Sequence, residues 1–237
     1  MIVMKFGGTS VGTGERIAHV ARIGVEVMQR TGTAPVMVVS AMSGVTDSLV
    51  KAASTAAMGD GRTFRLIREE LQTKHHQAIA ACVNDAEHGR GLRAEMDTLL
   101  QWFEILCTSI YTLGELTPRG LDAVSGLGER LSARITAAAL LSQGVKAQTV
   151  EATELIVTDN HFGSAAPLWE ETTAKARARL LPLIEAGVVP VVTGFIGATT
   201  GGVPTTLGRG GSDYSATILG RCLPADEVWI WTDVDGV

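Results

Sequence analysis

The sequence predicts an α/β fold: a three-layer αβα sandwich with a mainly parallel sheet, interrupted by a helical insertion. Three observations carry this expectation. Apolar runs of strand length alternate with segments of helical period from the first residues onward. Two of those runs, 36–39 and 188–192, are apolar without polar alternation, as strands are when both sheet faces are covered. Glycine-rich turns follow several strands, at the sheet edge where open α/β folds build their binding crevices.

Residues 2–6 are the first strand, and 15–30 the first helix, with Ile17, Val20, Ala21, Gly24, Val27 and Met28 on one face. A strand at 35–41 and a helix at 45–58 complete a βαβα opening. Between 61 and 117 the character changes to two long, polar-rich helical segments, read as a helical insertion. The first carries Glu69, Glu70, Lys74, His75 and His76; adjacent histidines point to different helix faces, make a poor metal pair and are read as solvated positions. On the second, Leu99, Leu100, Phe103, Leu106 and Cys107 recur at helical spacing and seal the two helices together. The rhythm then resumes with a helix near 129–142, a strand at 147–150, a helix at 170–185 and a strand at 188–193. A loop, TTLGRGGSD, leads to a helix at 213–222 and a strand at 228–232, where Trp229 and Trp231 are read as core packing rather than as a stacking platform.

Composition narrows the function classes. Hydrophobic residues make up 46% of the 237 and charged residues 19%, so there is ample apolar surface for a globular core. The net charge is −5 and the 20 Lys and Arg residues are scattered, which argues against a nucleic-acid partner. Three distant cysteines, Cys82, Cys107 and Cys222, suit a reducing cytoplasm. No signal-peptide pattern opens the sequence, and the most apolar later stretch, 186–197, holds Pro190 and is too short to span a membrane as a helix. The sequence stops just after DVDG, directly beyond a strand, and reads as cut short.

Four segments carry chemistry. KFGGTS (5–10) puts a lysine at the end of the first strand and two glycines in the turn, a device for approaching a phosphate, although alone it equally fits a tight turn with a surface lysine. SAMSGVTD (40–47) repeats the device after the second strand; Ser43 or Thr46 acting as a simple helix cap is the other reading. SGLGERLS (125–132) brings Glu129 to a helix start, where it either complements the helix dipole or binds an ammonium group. In LGRGGSDYSA (207–216), Arg209 and Asp213 bracket two glycines and a serine; an arginine there can grip a carboxylate through two bonds and the aspartate can orient a lysine.

In this order and spacing, KFGGTSV, VVSAMSGVTD, SGLGERLSA, TTLGRGGSDYSA and WTDVDG resemble the aspartokinases of the amino-acid kinase family, across 1–237 apart from the insertion. The resemblance implies one catalytic domain that transfers the γ-phosphate of ATP, with Mg2+, to the β-carboxylate of L-aspartate. It implies Lys5 and Asp213 as catalytic residues, and Lys5, Gly7, Gly8, Thr9, Ser40, Gly44, Thr232 and Asp233 around the nucleotide and its phosphates. Thr46, Glu129, Phe195, Arg209, Gly210, Gly211 and Ser212 would hold aspartate, with Glu129 on its ammonium and Arg209 on its α-carboxylate. No metal ligand is implied in the protein. The resemblance also implies a homodimer when full length, and weak or no activity from these residues alone. An acetylglutamate or glutamate kinase, or a non-catalytic binding fragment, are the rival readings.

Overall fold

Five parallel strands form the central sheet of the computed structural model, which describes residues 1–231. In chain order the elements are β1 (Ile2–Phe6), α1 (Gly14–Thr31), β2 (Val36–Val39), α2 (Val45–Ala57), α3 (Thr63–Cys82), α4 (Ala86–Leu113), α5 (Pro118–Ser125), α6 (Leu127–Ser142) and β3 (Ala147–Val150). A 3-10 turn (Ala152–Glu154) and β4 (Val157–Thr158) follow, then α7 (Trp169–Glu185), β5 (Val189–Thr193), β6 (Ile196–Thr199), β7 (Pro204–Thr206), α8 (Gly211–Cys222) and β8 (Glu227–Trp231). The main sheet runs β3-β5-β2-β1-β8, and a small second sheet runs β4-β6-β7 with β6 and β7 antiparallel.

Two-residue periodicity divides the strand side chains between two cores. Met4, Phe6, Met37 and Val39 pack with Ile17 and Val20 of α1 and Ile135 and Leu140 of α6. Val3, Val36, Val38 and Val192 pack on the other face with Ala176 and Leu180 of α7 and Ala216 and Leu219 of α8. Every residue of β2 is therefore buried, which is why its sequence shows no alternation. The expected αβα layering is the one the chain adopts.

Residues 61–117 are occupied by α3 and α4, which pack on each other and on α1, α2 and α6. Phe103 and Cys107 are fully buried and Leu100 nearly so, while Leu99 and Leu106 lie partly covered beside them. One expectation fails here: His75 is fully buried rather than solvated. It shares the inner face of α3 with Leu71, Ala78 and Ile79, at helical spacings of four, three and four. Its Nδ1 lies 2.6 Å from the Leu71 carbonyl, and burial pushes its pKa down to about 4. His76, on another face, contacts Asp97 at 3.0 Å.

The small sheet and α5 have no counterpart in the sequence-based expectation. Strands of two to four residues are too short to show a period, and α5 is only eight residues long. A start signal for α5 was nonetheless present: Thr117 caps the Gly120 N–H at 3.0 Å, with Pro118 in the first turn. On β8, Trp231 stacks on Phe6 with ring centroids 5.7 Å apart, and Arg30 lies over Trp229 at 5.4 Å. No helix among the described residues is long and apolar enough to cross a membrane.

Truncating Phe103 to Ala is expected to lower the unfolding free energy by about 3–5 kcal/mol, because the void sits between packed helices. Ile105→Ala, on the outer face of α4 and 48% exposed, is expected to change it by about 0.5 kcal/mol or less. Chemical denaturation of both variants checks this; similar losses would mean that the α3–α4 seam is misassigned.

Candidate active site

At the carboxyl ends of β1 and β2 a cleft of about 580 Å³ opens between α2, α5 and α6 on one side and the loop leading into α8 on the other. Its floor is two turns stitched together. The turn after β1 and the turn after β2 approach so closely that a Cβ at Gly8 would lie 2.9 Å from the Ala41 carbonyl oxygen. Ser43 joins them twice, its N–H (3.2 Å) and its hydroxyl (3.0 Å) both donating to the Gly8 carbonyl. Ser43 is thus a bridge and not a cap: the residue capping α2 is Gly44, with φ of 77°, and no side chain caps the helix. From α3, Lys74 donates to the Ser43 carbonyl at 2.5 Å.

Strand alternation explains the placement of Lys5. It shares a face with Val3, on the α8 side of the sheet, and so meets the first turn of α8, where Asp213 accepts from its ammonium at 2.7 Å. Lys5 is largely enclosed and Asp213 half exposed, so the pair meets solvent mainly through Asp213. Gly7 adjoins this ammonium: a Cβ there would lie 3.4 Å from Nζ.

The opposite wall is α6. Glu129, in its first turn, is buried and points at the end of β2, where one carboxylate oxygen accepts the Ala41 N–H at 3.1 Å. The other oxygen is buried without a hydrogen-bond partner among the described residues. Burial pushes the pKa up to about 8, against the lowering effect of the Ala41 bond. Such a carboxylate is poised to gain from a cation brought into the cleft. Ser132, one turn later, donates to the Ser40 carbonyl at 2.6 Å and pins α6 to the same turn.

The α8 side carries the strained residue. Phe195 has φ of 67°, the one non-glycine residue with positive φ among those described. Its N–H donates to the Ser215 hydroxyl at 2.9 Å and its carbonyl accepts the Leu207 N–H at 2.8 Å. Glycine is required opposite, since a Cβ at Gly211 would lie 2.7 Å from the Phe195 ring. Arg209, exposed on the cleft wall, makes no ion pair among the described residues.

Of the residues singled out from the sequence, Lys5, Gly8, Ser40, Gly44, Thr46, Glu129, Phe195, Arg209, Gly210, Gly211, Ser212 and Asp213 all line this cleft. Gly7 and Thr9 do not, and Thr9 is exposed. Thr232 and Asp233 lie outside the described residues. Sequence reasoning missed Asp122, which lines the cleft from α5. Asp122 is 3% exposed, and its position five residues after the Thr117 cap was the available signal.

Comparison with known proteins adds the following. The chain matches the amino acid kinase family over residues 1–237. It is 35% identical to the chloroplastic aspartokinase 3 of Arabidopsis thaliana, over 99% of this chain and 41% of that protein. It is 34% identical to the chloroplastic bifunctional aspartokinase/homoserine dehydrogenase 2 of Zea mays, over 99% of this chain and 25% of that protein. Among solved structures, aspartokinase III of E. coli in complex with aspartate and ADP superposes with a TM-score of 0.89 at 30% identity, over 100% of this chain and 50% of that one. The chain therefore spans at most about half the length of these relatives.

The raised pKa of Glu129 has a consequence for stability. Between pH 4.5 and about 8 the folded chain holds a proton that the unfolded chain has lost, so this residue makes stability fall as pH rises through that window. In ligand-free denaturation series across the window, Glu129→Gln is expected to flatten the decline. Identical pH profiles for the two proteins would show that Glu129 is not desolvated as described.

Proposed function

Because this chain belongs to the amino acid kinase family, we propose that it carries the substrate site of an aspartate kinase, which transfers the γ-phosphate of ATP to the β-carboxylate of L-aspartate. The observation that carries this reading is one cleft that offers, among the described residues, a buried carboxylate with an unpartnered oxygen, Glu129, and a guanidinium without an ion pair, Arg209. An α-amino acid presents the complementary ammonium and carboxylate. The aspartate and ADP named for the E. coli relative support the choice of substrate and nucleotide.

In this reading Glu129 takes the α-ammonium and Arg209 the α-carboxylate, with Thr46 and the backbone of Gly210, Gly211 and Ser212 beside them. Phe195 closes the pocket. The β-carboxylate is thereby directed at the turns after β1 and β2, where Lys5, Gly8, Ser40 and Gly44 face the transferring phosphoryl group. A carboxylate is already a nucleophile, so no general base is needed. What the protein supplies is position and positive charge: Lys5, held by Asp213, neutralises charge that spreads over the phosphoryl oxygens. Among the described residues no group of three or more His, Cys, Asp or Glu could hold a metal ion. Magnesium would be carried mainly by phosphate oxygens and water, with the half-exposed Asp213 beside Lys5, and would add further charge neutralisation. We place the reaction in the cytoplasm, which suits three buried, unpaired cysteines.

Isothermal titration with L-aspartate, using L-glutamate as control, tests the substrate. Aspartate-selective binding that is lost in Glu129→Ala and Arg209→Ala is expected; equal binding of both acids, or binding that survives both substitutions, would point to another acceptor. Binding requires ionised Glu129, so affinity should rise with pH up to about 8, with up to one proton released per aspartate bound below that pH. Titrations in buffers of different ionisation enthalpy measure that proton, and its absence would remove Glu129 from the ammonium site. Lys5→Ala in the full-length protein is expected to lower kcat by about 10²–10³ with little change in aspartate affinity.

A further inference from the structure

Asp122 is a buried carboxylate on the cleft wall to which neither the family resemblance nor the proposed reaction gives a role. Among the described residues its hydrogen-bond partners are all neutral. One oxygen accepts both the Gly163 N–H and the Thr206 N–H, each at 2.9 Å, and the other accepts the Thr206 hydroxyl at 2.7 Å. Such a group is costly to bury, and an apolar side chain could join α5 to β7 without that cost. What the carboxylate adds is direction, because it fixes two separate backbone segments at the same point.

Those segments flank the Arg209 loop. Thr206 is the last residue of β7, three positions before Arg209, and its carbonyl accepts the Ala165 N–H at 2.9 Å. Its neighbour Leu207 donates to the carbonyl of the strained Phe195. Gly163, the other partner, leads to Ser164, and both lie against Gly208, whose φ is 77°. Arg209 itself is exposed and makes no ion pair among the described residues, so the backbone before it sets where its guanidinium can reach.

We propose that Asp122 is a positioning residue for amino-acid recognition: by clamping Thr206 and Gly163 to α5, it sets the loop 207–211 so that Arg209 and Phe195 face the substrate. This deepens the reading given above and rests on it for the identity of the ligand. The clamp works through geometry rather than through charge, which separates two substitutions. Asp122→Ala removes all three bonds, whereas Thr206→Val removes one bond and leaves the carboxylate in place. Thr206→Ser keeps the bond.

Hydrogen exchange and aspartate titration of the same four proteins test this. Asp122→Ala and Thr206→Val are expected to speed exchange at the amides of 207–211, with α1 unchanged, and to raise the Kd for L-aspartate by about tenfold and threefold respectively. Thr206→Ser should match wild type in both. If Asp122→Ala does not fold, the Val and Ser variants at 206 decide alone. Wild-type protection and affinity in Thr206→Val would overturn the clamp, as would weaker binding in Asp122→Ala with no change in Thr206→Val, since that pattern belongs to charge. Should wild type not bind aspartate, the substrate reading fails, and the exchange rates still decide whether Asp122 sets the loop.

Discussion

The structure depends on one constraint: a parallel sheet buried on both faces has room for polar chemistry only at its ends. In β1 and β2 every side chain but Ile2 and Lys5 is buried, and these strands divide their residues between two apolar cores. Lys5 is the residue at which the strand passes from core to cleft. Because it keeps the face of Val3, it must meet α8; because Phe6 keeps the other face, α6 must supply what stands opposite. The cleft is where helices from the two layers, α6 and α8, reach the same strand ends.

Burying polar groups there is costly, and each wall meets the cost differently. Lys5 and Asp213 neutralise one another at 2.7 Å. Asp122 is satisfied by three neutral donors. Among the described residues Glu129 is satisfied at one oxygen only, and the burial that pushes its pKa to about 8 expresses the deficit. A ligand ammonium would remove that deficit, so affinity and proton release on binding are two readings of the same imbalance. The positive φ of Phe195 is a second local expense on the same cleft.

Much of the fold was legible because its signals are long. Helices α1, α3, α4, α6 and α7 each run for sixteen residues or more, and the fully buried β2 stands out as an apolar run. What the sequence hid is short or depends on phase. Strands β4, β6 and β7 are defined by hydrogen bonds between distant residues, as is α5's partnership with β7 through Asp122. His75 was misplaced because its helix is weakly amphipathic, so that polar composition masked the inner face it shares with Leu71 and Ile79. In the cleft, glycine-flanked charges were legible as motifs, while the bridging role of Ser43 and the clamp at Asp122 required the tertiary structure.

The central claim is that Glu129 waits, largely protonated at neutral pH, for the ammonium group of aspartate. Carbon-13 NMR of the Glu129 carboxyl, titrated with and without saturating L-aspartate, tests it most directly. The account expects a midpoint near pH 8 in the free chain that falls by about two units or more when aspartate is bound. A midpoint in the ordinary carboxylate range in the free chain, or one that bound aspartate leaves unmoved, would contradict it.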